Sequence, residues 1–457
     1  MMKDRISDLP DFLIHEILSH LEMKDVVKTS VLSASWKHVW TQTPVLNFKH
    51  DHDIGFVNRY RSVEDFFRFV CCSLALHKCP KIHRIQLSFD YSTYQDYYDK
   101  EIDGLIHFAI ARKASELKLD KLPGLYVLNL SLLEMGSLEV LKLHRCTIEL
   151  PTPTFKGFRN LKMLPLSNVY FNGGDVEELL ACSPILESLT VIEYGNDIRI
   201  PASLNGQLKH LSLKGEYELD ICASNLLSLD ISMVIDNFKY SPESASSLTD
   251  VSLDFQFFHK QNCFITRSED RMMQEILKDV HRARVLKLHG CCIQVSPPIS
   301  MHKCLVIESA LKMWELPGIA SLLKSSPDLQ SLVIKEIHGY LYLDQTLMYR
   351  HESVKKGYLE SRFSCLLHRL KTIKISGLTK GMFVLKNIKG KIQLVKVLLK
   401  HAVVLEKMTI HITHKSDSCD EDKVNLSRSL SKLGRKVQAF DKASTRAEVL
   451  FLYDFDQ

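Results

Sequence analysis

The chain lacks any hydrophobic run long enough to cross a membrane. No stretch of its 457 residues approaches the roughly 18 uninterrupted apolar residues that a spanning helix needs. The first residues are polar, with Lys3, Asp4 and Arg5 close to the start. The sequence therefore predicts neither a membrane span nor a signal peptide, and it favours the cytoplasm or the nucleus.

The chain also lacks a strong excess of charge of one sign. Its formal net charge is +5, with 45% hydrophobic and 25% charged residues, as in soluble folded proteins. A charge this small for the length does not require nucleic acid or a membrane as a partner, and we expect neither.

Paired metal-binding cysteines are missing as well. The twelve cysteines include no Cys-x-x-Cys pair. The adjacent pairs Cys71-Cys72 and Cys291-Cys292 cannot place both thiols on one ion without strain. Five cysteines lie at or near the ends of apolar segments: Cys146, Cys182, Cys222, Cys291 and Cys304. We expect free thiols packed in a core, with no disulfide and no metal.

Motifs that carry catalysis are absent. The sequence contains no Gly-x-x-x-x-Gly-Lys-Ser phosphate loop, no Gly-x-Ser-x-Gly elbow and no His-Glu-x-x-His zinc helix. His411-x-x-His414 has a metal-like spacing but no obvious third ligand. We therefore predict no catalytic residue and no cofactor, and we expect that the protein is not an enzyme.

The first 40 residues have the pattern of a small helical module. Leu9-Pro10-Asp11 predicts a turn that opens a helix, because the residue before proline avoids the helical region. The apolar residues that follow at helical spacing are Leu13, Ile14, Ile17, Leu18 and Leu21. A module this short rarely buries a sufficient core alone, so we expect it to complete that core on a partner.

Two more helices are expected in this module. Asp25 is expected to begin the second, whose inner side would carry Val26, Val27, Ser30 and Val31. Ser33 is a plausible cap for the third, and this cap places Trp36 and Trp40 one turn apart on one face.

These residues closely resemble the F-box, in the plant form that begins Asp-Arg-Ile-Ser-x-Leu-Pro-Asp. The matching segments are Asp4-Arg5-Ile6-Ser7, Leu9-Pro10-Asp11, Ile17-Leu18-Ser19, Lys24-Asp25-Val26-Val27, Thr29-Ser30-Val31-Leu32-Ser33 and Trp36-x-x-x-Trp40. The pattern usually has Lys-Arg before the first tryptophan, where this chain has Ala34-Ser35. The resemblance implies an F-box over residues 1–48 that binds a Skp-family adaptor. The implied contact residues are Leu9, Pro10, Ile14, Ile17, Leu18, Leu21, Val31 and Trp36.

The body of the chain repeats the pattern Leu-x-x-Leu-x-Leu. The clearest copy is Leu138-x-x-Leu141-x-Leu143, and others begin at Leu161, Leu186, Leu208, Leu226 and Leu248. Degenerate copies begin at Ile82, Ala114, Ala283, Cys304, Leu329, Leu370 and Leu405. From residue 114 to residue 248 the starts lie 18 to 25 residues apart, which brackets the period of leucine-rich repeats.

This period predicts an α/β solenoid built on a parallel sheet, with short helices on the convex side. Each unit supplies a short strand with one buried face, and neighbouring units must stack to cover it. The expected buried strand residues include Leu141, Leu143, Leu164, Leu166, Leu189, Val191, Leu211 and Leu213. The expected outward residues between them are Lys142, Pro165, Thr190 and Ser212.

Connecting segments recur in the same frame. A helix from Val176 to Leu180 is expected to end at Ser183-Pro184, and the segments that end at Leu329 and at Leu405 share its spacing. Three stretches break the period and are predicted to be irregular insertions: residues 90–103, 256–275 and 339–362. The first is acidic and rich in tyrosine, which would suit either a recognition surface or a solvated loop.

The C-terminal part resembles the FBD domain of plant F-box leucine-rich proteins. The residues that carry the resemblance lie in 365–375, 394–400 and 405–410, and Phe440-Asp441-Lys442-Ala443-Ser444 resembles its closing Phe-Pro-Arg-Ala-Ser. We interpret this region as two further strand-helix units and a final strand over 447–455 that caps the solenoid. The expected domains are therefore repeats over 80–360 and an FBD over 361–457.

The resemblances imply a substrate-recognition subunit of an SCF-type ubiquitin ligase. The F-box would bind the Skp-family adaptor and, through it, the cullin and RING subunits, while the repeats would hold a target protein close to the transfer site. Two alternatives stay open: an F-box scaffold that delivers no substrate, and a co-receptor for a small molecule. The sequence does not identify the target.

Overall fold

In a computed structural model, the chain is described over residues 9–34, 36–50, 62–89, 98–122, 126–133, 136–150, 157–172, 176–192, 198–200, 206–215, 219–221, 225–235, 239–240, 247–257, 267–295, 297–309, 311, 315–336, 367–380, 384–415 and 420–456. It divides into two compact units, Met1–Asn225 and Leu226–Gln457.

The first unit opens with the helical module. Its helices are α1 (Asp11–Ser19) and α2 (Met23–Lys28), followed by 3-10 turns at Thr29–Val31 and Trp36–Gln42. The second helix thus begins at Met23, two residues before the expected Asp25. Val26 is buried as expected, but Val31 is 85% exposed because it lies at the end of a tight turn rather than on the inner face of a helix.

The rest of the first unit contains three further helices and twelve strands within its described residues. The helices are α3 (Val63–Leu76), α4 (Asp99–Ala111) and α5 (Val176–Ala181). The strands are β1 (Val45–His50), β2 (Arg84–Phe89), β3 (Glu116–Asp120), β4 (Val127–Asn129), β5 (Val140–His144), β6 (Thr147–Glu149), β7 (Met163–Ser167), β8 (Tyr170–Phe171), β9 (Ser188–Ile192), β10 (Ile198–Ile200), β11 (His210–Gly215) and β12 (Leu219–Ile221). The main ladder runs β1-β2-β3-β5-β7-β9-β11, and each adjacent pair is parallel.

The second unit continues the same construction. Its described helices are α6 (Arg267–Asp279), α7 (Leu316–Lys324), α8 (Val384–His401) and α9 (Asp420–Gln438). Its described strands are β13 (Ser228–Ile235), β14 (Lys239–Tyr240), β15 (Asp250–Phe257), β16 (Val285–His289), β17 (Cys304–Ser309), β18 (Ser331–Glu336), β19 (Thr372–Lys380), β20 (Lys407–Lys415) and β21 (Glu448–Asp456). From β15 to β21 each strand pairs in parallel with the next, and β13 pairs in parallel with β15.

Alternation along each strand places the apolar residues in the core, as the repeat predicted. The strand residues expected to be buried are all at most 2% exposed: Leu141, Leu143, Leu164, Leu166, Leu189, Val191, Leu211 and Leu213. The residues between them are partly exposed: Lys142, Pro165, Thr190 and Ser212. Parallel pairing and this burial confirm the α/β repeat fold.

Polar residues just before the first leucine of a repeat tie it to the preceding one. The Ser137 hydroxyl donates to the Ala114 carbonyl at 3.0 Å, and the Ser247 hydroxyl donates to the Leu226 carbonyl at 2.7 Å. The Asn160 side-chain amide donates to the Gly136 carbonyl in the same way. These bonds satisfy turn carbonyls that the strand ladder leaves free.

One repeat start was wrong by two residues. Cys304 is the partly exposed first residue of β17, and the buried start of that repeat is His302. The His302 Nδ1–H donates to the Ala283 carbonyl at 2.6 Å, so this histidine fills a position that leucine occupies in other repeats. Burial lowers its pKa, which keeps the ring neutral there.

Two of the predicted insertions are partly helical. In the stretch 90–103, residues from Asp99 onward belong to α4, whose Ile102 is fully buried. In the stretch 256–275, residues from Arg267 onward belong to α6. The two differences have one cause. A charged helix with a single buried stripe has nearly the composition of a polar loop, and only the helical spacing of its apolar residues distinguishes the two. The third insertion, 339–362, lies outside the described residues.

Helix ends and the C-terminal region follow the expectations. Helix α5 ends at Ala181, just before Ser183-Pro184, and α7 ends in the equivalent place before Pro327. The region expected to be an FBD contains β19-α8, β20-α9 and the final strand β21, which are two strand-helix units and a terminal strand.

The ladder begins earlier than the sequence indicated. Strand β1 pairs with β2 in parallel, with Leu46 and Phe48 each only 1% exposed. Helices α1 and α2 both pack against β1. The helical module is therefore continuous with the first strand of the repeats.

Hydrogen bonds fix this joint. The Thr41 carbonyl accepts from the backbone N–H of Lys78 at 2.7 Å and of Cys79 at 3.2 Å. The His77 Nε2–H donates to the Thr43 carbonyl at 3.0 Å. The Arg112 guanidinium donates to the carbonyls of Cys79 at 2.7 Å and His77 at 3.1 Å, which extends the joint to the end of α4.

Candidate adaptor and target interfaces

Helix α1 has apolar residues on two faces, and only one of them is buried in this chain. Ile14 and Leu18, one turn apart, are 4% and 2% exposed. Leu13, Ile17 and Leu21 follow at the same spacing on the neighbouring face and are 38%, 48% and 37% exposed. The second face is a stripe of aliphatic side chains that faces solvent.

More apolar surface lies close by in sequence. Phe12 is 69% exposed, and Val31 and Leu32 at the end of the Thr29–Val31 turn are 85% and 65% exposed. Among the described residues, six of the fifteen exposed large apolar side chains fall between residues 12 and 32. Such a concentration is typical of a protein interface rather than of a solvated surface.

The outward side of the strands in the first unit is polar, and several of its charges are paired. Lys142 on β5 donates to Glu116 on β3 at 2.7 Å. At the other end of β3, the Asp120 carboxylate accepts from the His144 ring and, at 2.9 Å, from the Ser88 hydroxyl. Charged side chains on this face therefore neutralise one another across adjacent strands.

The second unit has a denser cluster of the same kind around Glu308 on β17. This carboxylate lies 3.0 Å from Lys287 and 3.1 Å from the His289 ring, both on β16, and 3.3 Å from Lys335 on β18. Burial lowers the pKa of His289, although the nearby Asp254 and Glu308 carboxylates act to raise it. We call Lys287, His289, Glu308 and Lys335 the Glu308 cluster.

The Glu308 carboxylate stays ionised in this surrounding. Its burial acts to raise the pKa, but the hydrogen bond from Lys287 and the positive charges of its neighbours outweigh burial and hold the pKa below its ordinary value. The cluster is thus a charged centre on three adjacent strands.

Comparisons with known proteins match both the N-terminal helical module and the repeats. A model of the F-box domain matches residues 6–47, and a model described as the At1g61320/AtMIF1 LRR domain matches residues 74–443. The Arabidopsis thaliana F-box/FBD/LRR-repeat protein At2g04230 is 31% identical over 372 residues, covering 76% of this chain and 77% of that protein. The chain belongs to the F-box/FBD/LRR-repeat family.

Two further Arabidopsis thaliana relatives match over most of their length. The putative F-box/FBD/LRR-repeat protein At1g66290 is 26% identical over 441 residues, covering 90% of this chain and 88% of the relative. The F-box/FBD/LRR-repeat protein At1g51370 is 25% identical over 429 residues, covering 90% and 89%. None of these matches points to a catalytic family.

The eight predicted contact residues fall into two groups that differ in solvent exposure. Pro10, Ile17, Leu21 and Val31 are exposed, and Leu9 is half-buried. Ile14, Leu18 and Trp36 are at most 4% exposed and form the inner core of the F-box. The first group is accessible to a partner, whereas the second can act on a partner only through the F-box fold.

Sequence reasoning left three exposed F-box residues out of the contact set. Leu13 belongs to the apolar stripe, and Phe12 and Leu32 are exposed apolar residues of the same module. The spacing of Leu13, Ile17 and Leu21 was the available signal, because it repeats every four residues beside the Ile14 and Leu18 pair.

Within the described residues, no group of three or more His, Cys, Asp or Glu side chains is arranged to hold a metal ion. Cys146 and Cys292 are buried free thiols, whereas Cys71 and Cys72 are exposed on α3 rather than in the core. Across the described part of the chain, no helix has the length and apolar character that a membrane crossing needs.

Proposed function

We propose that this chain is the substrate-recognition subunit of an SCF-type ubiquitin ligase. The F-box binds a Skp-family adaptor, which links it to the cullin and RING subunits, and the leucine-rich repeats bind the target protein. The chain contributes no catalytic side chain, and it accelerates transfer by holding the target close to the conjugating enzyme. It works in the cytoplasm or the nucleus.

The exposed apolar stripe of the F-box carries this proposal. Leu13, Ile17 and Leu21 stay partly open to solvent in the free chain, and covering them completely would gain up to about half of the roughly 1.5–3 kcal/mol that full burial of such a side chain contributes. An adaptor that covers this stripe together with Val31 and Leu32 would gain enough apolar area for a stable complex. We therefore assign the adaptor contacts to Leu9, Pro10, Leu13, Ile17, Leu21, Val31 and Leu32.

The joint between the F-box and the repeats supports the delivery role. Bonds from Lys78, Cys79 and His77 to the end of the F-box, together with the β1-β2 ladder, give this junction many fixed contacts. A rigid junction keeps the adaptor and the first repeats in one orientation, and a fixed orientation is what catalysis by proximity requires.

A cavity in the second unit argues against the co-receptor alternative at that place. It lies under β19, β20 and β21, among Ile375, Val395, Ile410 and Phe451, and it encloses only about 40 Å³. Pockets for small ligands usually hold about 300–1,000 Å³. This cavity therefore does not accommodate a hormone-sized molecule.

Copurification with quantitative mass spectrometry tests the proposal. The wild-type chain should recover a Skp-family adaptor, a cullin and at least one protein whose abundance rises with proteasome inhibition. The Ile17→Asp variant should lose adaptor and cullin but keep that protein. If the wild-type chain recovers the adaptor but expression of the Ile17→Asp variant raises the abundance of no protein, the chain would instead be a scaffold that delivers no substrate.

A further inference from the structure

Helix α9, in the C-terminal part of the second unit, carries a stripe of exposed cations. Arg428, Lys432, Arg435 and Lys436 are all exposed, and their spacing of four, three and one residues puts them on one side of the helix. We call these four residues the basic stripe. The opposite side packs inward through Leu430 and Val437, which are 1% and 2% exposed.

The stripe lies in a positively charged region of the chain. Residues 423–446 contain seven Lys and Arg residues and one acidic residue, Asp441, which give a formal charge of +6. The complete chain carries only +5, so all other residues together sum to −1. The acidic residues of α9 lie in its first turn, at Asp420, Glu421 and Asp422, separated by more than a turn from Arg428.

The four cations form no ion pair with any described carboxylate. This contrasts with the outward strand face, where Lys142 and Lys287 each have a carboxylate partner within 3.0 Å. The helix dipole favours cations only in the last turn, which accounts for Arg435 and Lys436 but not for Arg428 and Lys432. Arg428 and Lys432 are thus two cations that neither a described carboxylate nor the helix dipole explains.

We propose that the basic stripe binds an acidic polypeptide segment of a partner protein. Carboxylates can pair with guanidinium groups through two parallel hydrogen bonds, and such pairs gain strength when the partner covers them. From Arg428 to Lys436 the stripe extends over about 12 Å of helix, a length that matches a few residues of extended acidic chain.

Two other polyanions fit this surface less well. A single-stranded nucleic acid needs exposed aromatic side chains for base stacking, and no exposed aromatic side chain lies among the described residues of α9 or the segment after it. An anionic membrane surface needs exposed apolar residues beside the cations, and among the described side chains of residues 427–447 no large apolar one is exposed.

Fluorescence anisotropy on the full-length chain tests the proposal, with a labelled oligoglutamate peptide as the probe. The wild type should bind the peptide, and more weakly as salt rises. The double variant Arg428→Glu/Lys432→Glu should weaken binding by at least about tenfold, because two attractive contacts become repulsive. A milder variant, Arg428→Gln/Lys432→Gln, serves the same purpose if charge reversal disturbs folding.

The matched control is Lys278→Glu/Lys324→Glu, which makes the same change in net charge at exposed lysines in the last turns of α6 and α7. It should leave peptide binding within about twofold of wild type, because those positions lie outside the stripe. Equal weakening by the control would overturn the proposal, since net charge alone would then explain binding. A labelled single-stranded oligonucleotide and phosphatidylserine vesicles serve as competing probes. If either binds the wild type more tightly than the oligoglutamate peptide does, and the stripe variant loses that binding, the proposal is overturned in favour of that polyanion.

Discussion

The F-box and the outward strand face of the repeats are both open surfaces, but they are built from opposite chemistry. The F-box exposes large aliphatic and aromatic side chains such as Ile17 and Val31. The strand face exposes charged groups that are already paired, such as Lys142 with Glu116 and the three donors around Glu308.

Under the proposed function, this difference would separate a permanently occupied interface from an exchangeable one. Exposed apolar surface stays unfavourable in water until it is covered, so the F-box suits a partner that is always present. Paired charges are satisfied in the free chain, so a target must offer comparable partners to displace them, and only matching surfaces gain by doing so. We expect selectivity to reside on the strand face and strength of attachment to reside on the F-box.

The strongest test of this comparison substitutes neighbouring residues on the two faces of α1. Leu18→Asp places a carboxylate in the F-box core and should cost several kcal/mol of folding free energy, because Leu18 is only 2% exposed. Ile17→Asp, at a 48% exposed position, should change the free energy of unfolding by less than about 0.5 kcal/mol but weaken adaptor binding at least about tenfold. Thermal unfolding and calorimetric titration with the adaptor give the two quantities. If the Ile17→Asp variant binds the adaptor as tightly as the wild type does, the stripe is not part of the adaptor interface.

Deletion of residues 1–45 tests whether the two regions are separable. It removes the Thr41 and Thr43 carbonyls that hold residues 77–79, and it uncovers the β1 side of the ladder. We therefore expect amide hydrogen exchange in β2 to accelerate strongly while exchange in β9 stays unchanged, because each repeat contacts mainly its neighbours. Unchanged protection of Ile85 and Leu87 after the deletion would show that the repeats fold without the F-box.

The buried His77 makes the same joint sensitive to acid. Burial lowers its pKa from 6.5 to about 4 in the folded chain. The unfolded state then binds the proton more readily, so the stabilising contribution is complete above pH 6.5 and is lost as the pH falls toward 4. The loss should approach about 3 kcal/mol.

Urea unfolding between pH 7 and pH 4 measures this effect in the wild type and in His77→Gln. The variant retains a donor for the Thr43 carbonyl but cannot titrate, so its stability should fall less with acid. Because burial also lowers the pKa values of His302 and His289, the difference between the two proteins is the informative quantity. Parallel curves for wild type and variant would contradict the prediction.

The smallest expected effect concerns the paired strand face. Glu308→Gln removes the charge shared by Lys287, His289 and Lys335 and should cost about 1–2 kcal/mol of stability. Glu116→Gln removes a single pair with Lys142 and should cost less, about 0.5 kcal/mol. Melting temperatures at low and high salt test this order, and equal shifts for the two variants would mean that the cluster gains nothing from its extra partners.

The repeat period was sufficient to predict which residues of a strand are buried and which face outward. Leu164 and Leu166 lie on the buried face and Pro165 points outward, because alternate side chains of a strand leave on opposite sides. The same rule missed the first strand, β1, since its repeat begins with Thr43 rather than leucine. It also shifted one start to Cys304, because the buried first position is the polar His302. Polar residues that find a backbone partner can replace leucine, and a pattern of apolar residues cannot detect them.

The sequence by itself determined the family and the repeat fold, the burial of alternate strand residues and the presence of apolar helices near the N-terminus. It could not decide which apolar face of α1 belongs to the chain and which is left for a partner, because Ile14 with Leu18 and Leu13 with Ile17 have the same spacing. Packing of α1 and α2 against β1 makes that decision, since it covers the first pair and leaves the second in water. Helical spacing fixes which residues share a face, whereas only tertiary contacts fix where that face points.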